Sequence, residues 1–147
     1  SKFINCSNLK IENCNISTKF YTIGLNNCSN ITIYNCSLAH TFNTDITGFT
    51  CYNCQYISIS DCKFQNFENG IKLSYSNFTM IQNCIFIEND RFINIYRSNN
   101  ISIIGNKIWD SNMDLSSIFY SYIEQTLEFT NNKFNNYTIA ILFNQSR

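Results

Sequence analysis

Leu9-Lys-Ile-Glu-Asn-Cys-Asn-Ile16 decides the fold, because the chain repeats it. It returns as Ile31-Thr-Ile-Tyr-Asn-Cys-Ser-Leu38, Ile57-Ser-Ile-Ser-Asp-Cys-Lys-Phe64 and Thr79-Met-Ile-Gln-Asn-Cys-Ile-Phe86. Two further copies are Ile101-Ser-Ile-Ile-Gly-Asn-Lys-Ile108 and Leu127-Glu-Phe-Thr-Asn-Asn-Lys-Phe134. The sixth residue of each copy falls at 14, 36, 62, 84, 106 and 132, so the steps are 22, 26, 22, 22 and 26. The unit is 22 residues, with four residues inserted in two places. A fixed step of this size marks a stacked repeat.

Each column of the alignment has a physical reading. Ile11, Ile33, Ile59, Ile81, Ile103 and Phe129 are apolar, while Lys10, Thr32, Ser58, Met80, Ser102 and Glu128 precede them. That alternation has the period of a strand with one face in and one out. Asn13, Asn35, Asp61, Asn83, Gly105 and Asn131 follow. These residue types tolerate the left-handed backbone region, so the column is expected to be a corner. Beside it runs a structural ladder of Cys14, Cys36, Cys62, Cys84, Asn106 and Asn132. A second strand aligns Ile23, Phe49, Ile71, Ile93, Phe119 and Ile141, and a further column reads Cys6, Cys28, Cys54, Ser76, Ser98 and Glu124. β-Branched and aromatic residues in period two exclude a helix, and hairpin turn signals are missing. The pattern predicts an all-β parallel solenoid of about six coils, each strand pairing with its equivalent one coil on at ~4.8 Å.

Composition narrows the function classes. Lys plus Arg number 10 and Asp plus Glu number 10, giving a net charge of zero. Nothing funnels a polyanion, so no nucleic-acid partner is expected. No apolar run reaches the ~18 residues of a membrane span, so no membrane insertion is expected. Asparagine occurs 25 times and proline not at all. The even count of eight cysteines admits disulfides, but their columns read as free, buried ladder residues. Cys51-x-x-Cys54 has the spacing of a redox or zinc motif, yet no second pair completes it and His40 is the only histidine. No metal and no cofactor is expected.

The motif Asn-Ile-x-Ile-x-Asn-x-x-Ile/Phe, with Gly70-Ile-Lys-Leu73 upstream of one copy, resembles the right-handed parallel β-helix repeats of the pectin lyase-like superfamily. The resemblance runs from about Cys6 to Phe143. It implies the β-helix fold and leaves function open, since that superfamily holds enzymes, adhesins and structural spikes. Its polygalacturonases carry Asn-Thr-Asp, a paired Asp, Gly-His-Gly and Arg-x-Lys. Here Asn43-Thr44-Asp45 matches the first, but Ile46 and Thr47 intervene before Gly48, and Gly70 stands where the last motif has Arg. A glycosidase needs two carboxylates, one to protonate the leaving oxygen and one to activate water. Asp45 has Glu68 as its one candidate neighbour, so no catalytic residue is expected.

The two insertions, at about His40 to Asp45 and Trp109 to Asp114, fall in the same coil region three coils apart. They would stand roughly 14 Å apart on one side of the rod. The sequence places a candidate glycan groove there, of His40, Asp45, Glu68, Glu88, Arg91, Trp109 and Asp110. Asn-x-Ser/Thr occurs nine times, and Asn77, Asn100 and Asn136 are the candidate glycosylation sites. Residues 1–147 read as one β-helix segment of a longer chain, whose partners are the rest of that chain or assembly, and glycans. The expected role is a rigid, non-catalytic segment of a surface or extracellular protein. The alternatives are a fragment of a polysaccharide lyase or hydrolase acting on pectin-like glycans, and a cytoplasmic, cytoskeleton- or filament-associated scaffold.

Overall fold

The structure is a computed structural model that describes residues 1–19, 23–41, 46–109, 119–123, 126–135 and 141–143. The first coil holds β1 (Lys2–Ile4), β2 (Lys10–Glu12) and β3 (Asn15–Thr18). The second holds β4 (Ile23–Asn26), β5 (Ser29–Tyr34) and β6 (Ser37–His40), and the third β7 (Thr47–Tyr52), β8 (Gln55–Ser60) and β9 (Lys63–Gln65). The fourth holds β10 (Asn69–Ser74), β11 (Asn77–Gln82) and β12 (Ile85–Ile87). In the fifth, β13 (Arg91–Ile104) runs unbroken through the first corner and β14 (Lys107–Trp109) follows. β15 (Phe119–Ile123), β16 (Leu127–Thr130) and β17 (Lys133–Asn135) form the sixth, and β18 (Ile141–Phe143) adds a strand beside β15.

Among the described residues every strand pairing is parallel and joins equivalent strands of successive coils. Ile33 pairs with Ile59, Ile59 with Ile81, and Ile81 with Ile103. Ile23, Phe49, Ile71, Ile93, Phe119 and Ile141 stack in the first sheet. The third sheet has six rungs, β3-β6-β9-β12-β14-β17, hence five steps between coils. The expected register therefore holds, insertions included. A strand whose inward residues are all apolar can slip only by two residues, and the corners forbid that.

Three inward faces share one core. Ile33, Ile59, Ile81 and Ile103 from the second sheet, Leu25, Cys51, Leu73 and Ile95 from the first, and Leu38, Phe64, Phe86 and Ile108 from the third are all buried. Gly48 and Gly70 occupy one column that Phe92 completes. A Cβ at Gly48 would lie 2.6 Å from the Gly70 carbonyl and 2.9 Å from the Phe67 ring, so these glycines make room for core rings.

The second corner follows β2, β5, β8, β11, β13 and β16. Asn13, Asn35, Asp61, Asn83, Gly105 and Asn131 all have positive φ, between 50° and 68°. The first corner makes the same demand twice per coil. Asn5, Asn27, Asn53, Tyr75 and Arg97 form one left-handed column, and Asn8, Asn30, Tyr56, Phe78 and Asn100 another.

Candidate functional site

Interior ladders hold the corners together, and their chemistry explains the cysteines. At the first corner the Cys6 N–H donates to Cys28 Sγ at 3.4 Å and the Cys28 N–H to Cys54 Sγ at 3.4 Å. The Cys54 N–H then donates to Ser76 Oγ at 3.2 Å, and the Ser76 N–H to Ser98 Oγ at 2.9 Å. At the second corner the Cys36 N–H donates to Cys62 Sγ at 3.4 Å. Cys84 N–H donates to Asn106 Oδ1 at 2.8 Å and Asn106 N–H to Asn132 Oδ1 at 3.0 Å. Asn106 Nδ2 also donates to the Ile81 carbonyl at 3.1 Å, the bond that the Cys84 thiol makes to Ile59 at 3.8 Å. A buried turn leaves one backbone N–H per coil unpaired, and leaving it so costs about 1–3 kcal/mol. Cys, Ser and Asn each accept that N–H and donate onward, so they interchange along the column. All eight cysteines are free thiols. Burial pushes the Cys51 thiol well up, while the hydrogen bond from Cys51 holds Cys54 down at about 7.

The predicted groove assembles in part. Glu68 and Arg91 meet in an ion pair of 3.0 Å near the turns that follow β9 and β12, where Asn66 and Glu88 hold positive φ. The Glu88 N–H donates to the Trp109 carbonyl at 2.9 Å, and Trp109 is 48% exposed. His40 does not line an open surface: it is 2% exposed, its Nε2 lies 3.2 Å from the Lys19 carbonyl, and its ring meets Phe67 edge-on. His40 ends β6, where the inward phase of the strand turns its side chain into the core. Asp45 and Asp110 lie outside the described residues, and with them the separation of Asp45 from Glu68.

A different cluster escaped the sequence reading. Tyr52, Tyr56, Tyr75, Phe78 and Met80 are exposed, and all lie on the third and fourth coils at or beside the first corner. Tyr56 and Phe78 stack with ring centroids 5.0 Å apart. Tyr75 meets Tyr52 at 5.5 Å and Tyr96 at 5.6 Å, both edge to face. The Arg97 guanidinium lies 5.3 Å from the Tyr96 ring centre and 5.9 Å from that of Tyr75. Tyr56, Tyr75, Phe78 and Arg97 all hold positive φ where other coils of the same columns use Asn. That backbone costs a non-Asn, non-Gly residue about 1–3 kcal/mol, so strain and exposed rings coincide here. The signal in the sequence was the loss of Asn from two columns that begin with it.

Asn77 sits among these rings, at the start of β11. Its Oδ1 accepts the Asn99 N–H at 3.0 Å. Of the other candidate glycosylation sites, Asn100 is exposed and Asn136 lies outside the described residues.

A family model described as the right handed beta helix region matches residues 3–147. The chain belongs to the right-handed β-helix family. The expected pectin lyase-like architecture is consistent with that membership. No curated protein matches this β-helix. Among solved structures it is similar to QnrB1, a plasmid-mediated fluoroquinolone resistance protein. A trypsin-treated variant shares 12% identity over 88% of this chain and 78% of that one, at a TM-score of 0.29. The full-length protein shares 12% over 92% and 94%, at 0.22. Likeness at those scores carries nothing about what this β-helix does.

Proposed function

We propose that this β-helix is a rigid, non-catalytic segment of a larger surface or extracellular structural or adhesive protein. The observation that carries the reading is the coil-to-coil continuity of the interior ladders. The N–H groups of Cys6, Cys28, Cys54, Ser76, Cys36, Cys84 and Asn106 are each satisfied by the next coil, so bending the rod there would strand polar groups in the core. Among the described residues, Glu68 of the candidate groove is engaged by Arg91 at 3.0 Å.

The test has two arms. Polygalacturonate incubated with the protein should yield no unsaturated or reducing ends above a heat-treated control. Turnover abolished by Glu68→Gln would replace the structural reading with the enzymatic one. Fractionation of the source cells should find the native protein at the surface or outside. Recovery with the cytoskeletal fraction would favour an internal scaffold.

A further inference from the structure

We propose that Asn77 carries an N-linked glycan, which lies over the exposed rings of the first corner. The proposal rests on the surface or extracellular reading, because only a chain entering a secretory compartment meets the transferase.

In a chain this rich in Asn, Ser and Thr, most sequons arise by chance. Such sequons place their hydroxyl residue where the fold wants a polar side chain. The described ones obey: Ser7, Ser17, Ser29, Thr32, Ser37 and Ser102 are exposed or half-buried. Asn77-Phe78-Thr79 does not. Thr79 points inward, is 2% exposed, and pairs with Ile57 on one side and Ile101 on the other. The other coils fill that column with Leu or Ile. The Thr79 hydroxyl has no hydrogen-bond partner among the described residues. A buried hydroxyl without a partner destabilises the fold, and an isoleucine there would fill the space without that cost. The packing does not account for this threonine; the requirement for Ser or Thr two residues after a glycosylated Asn does. Burial in the folded state is no obstacle, because the sequon is read on the unfolded chain.

The surroundings fit the product. Asn77 lies between Tyr75 and Phe78 in sequence, both left-handed and both exposed. The Asn99 N–H fixes Asn77 Oδ1, leaving Nδ2 to carry the sugar. In the transfer, Asn77 Nδ2 bonds to C1 of a lipid-diphosphate-linked oligosaccharide. The C1–O bond breaks, the lipid diphosphate leaves with the bonding electrons, and the amide proton passes to a base of the transferase. The sugar's C–H face then has Tyr56, Tyr75 and Phe78 to cover, and tyrosine hydroxyls meet its own.

The full chain, made behind a cleavable leader in a eukaryotic secretory host, is treated with a peptide N-glycosidase in heavy-oxygen water. Most of the Asn77 peptide should return as isotope-marked Asp. Thr79→Ile should abolish the mark at residue 77 and leave Asn100 as it was. The same substitution should raise the melting temperature of the enzymatically deglycosylated protein, since it copies the column's own residue. Removing the glycan from the native fold should raise fluorescence of a hydrophobic dye several-fold, and Tyr56→Asn with Phe78→Asn should suppress that rise. An unmarked Asn77 in the wild-type protein overturns the proposal. A marked Asn77 with no dye response overturns its placement over the rings. Native protein found inside the cell sinks the surface reading instead, whatever residue 77 carries in the secretory host.

Discussion

The first and second corners ask the same thing of the backbone and receive different residues. At the second corner every left-handed position holds Asn, Asp or Gly. Asn35 Nδ2 donates to Asn13 Oδ1 at 2.8 Å, so the outer amides form a ladder of their own. At the first corner the early coils do likewise, with Asn53 Nδ2 donating to Asn27 Oδ1 at 2.7 Å. The third to fifth coils then place Tyr56, Tyr75, Phe78 and Arg97 in that conformation. A turn built for stability uses the residues that reach positive φ cheaply. The turn at the first corner departs from them on neighbouring coils and presents exposed rings instead.

Ile59 packs between Ile33 and Ile81, under both corners. Ile59→Ala should cost about 2–5 kcal/mol, read by urea unfolding. A loss below about 1 kcal/mol would mean that the corners, not the core, hold the coils. Next in size is Asn35→Val at the second corner, expected to cost about 1–3 kcal/mol because a β-branched residue reaches positive φ with difficulty. Tyr75→Asn at the first corner should do the reverse, raising stability by up to about 1 kcal/mol as strain is relieved. A loss of stability there would show that the ring row is part of the scaffold.

The smallest effect concerns protons. Cys54 is held at about 7 chiefly by the hydrogen bond from Cys51, below the ordinary thiol value of 9.0. A depressed folded-state value contributes stability that is full above 9.0 and is lost as pH falls through about 7. Cys51, pushed up by burial, opposes this at the alkaline end. The urea midpoint should therefore rise modestly between pH 7 and 9. Cys54→Ser, which copies Ser76 of the same column, should reduce the rise, and Cys62, also held down chiefly by the hydrogen bond from Cys84, supplies the remainder.

Much of the fold was legible because its signals are periodic. Ile33, Ile59, Ile81 and Ile103 recur at the step of the coil, and Asn13 to Asn131 mark where it turns. At the first corner only the repeat of one column was legible, Cys6 to Ser98, and not that the chain turns there. Its left-handed columns went unread because Tyr75 and Phe78 carry no turn signal of their own. The candidate groove was read from sequence proximity to the insertions, which put His40 at a surface; strand phase puts it inside.

By itself the sequence determined which apolar columns point inward, which coil each belongs to, and where the second corner bends. Those follow from period two within a strand and from the 22-residue step between strands. Only the tertiary structure decided that Cys, Ser and Asn share a column because each accepts a neighbouring coil's N–H. It also decided that Tyr75 meets Tyr52 and Tyr96 while Tyr56 stacks on Phe78, and that the Thr79 hydroxyl has no partner among the described residues. Such facts depend on which atoms meet across the gap between coils. One-dimensional spacing fixes the level at which a side chain stands, while rotamer and lateral packing choose what it touches.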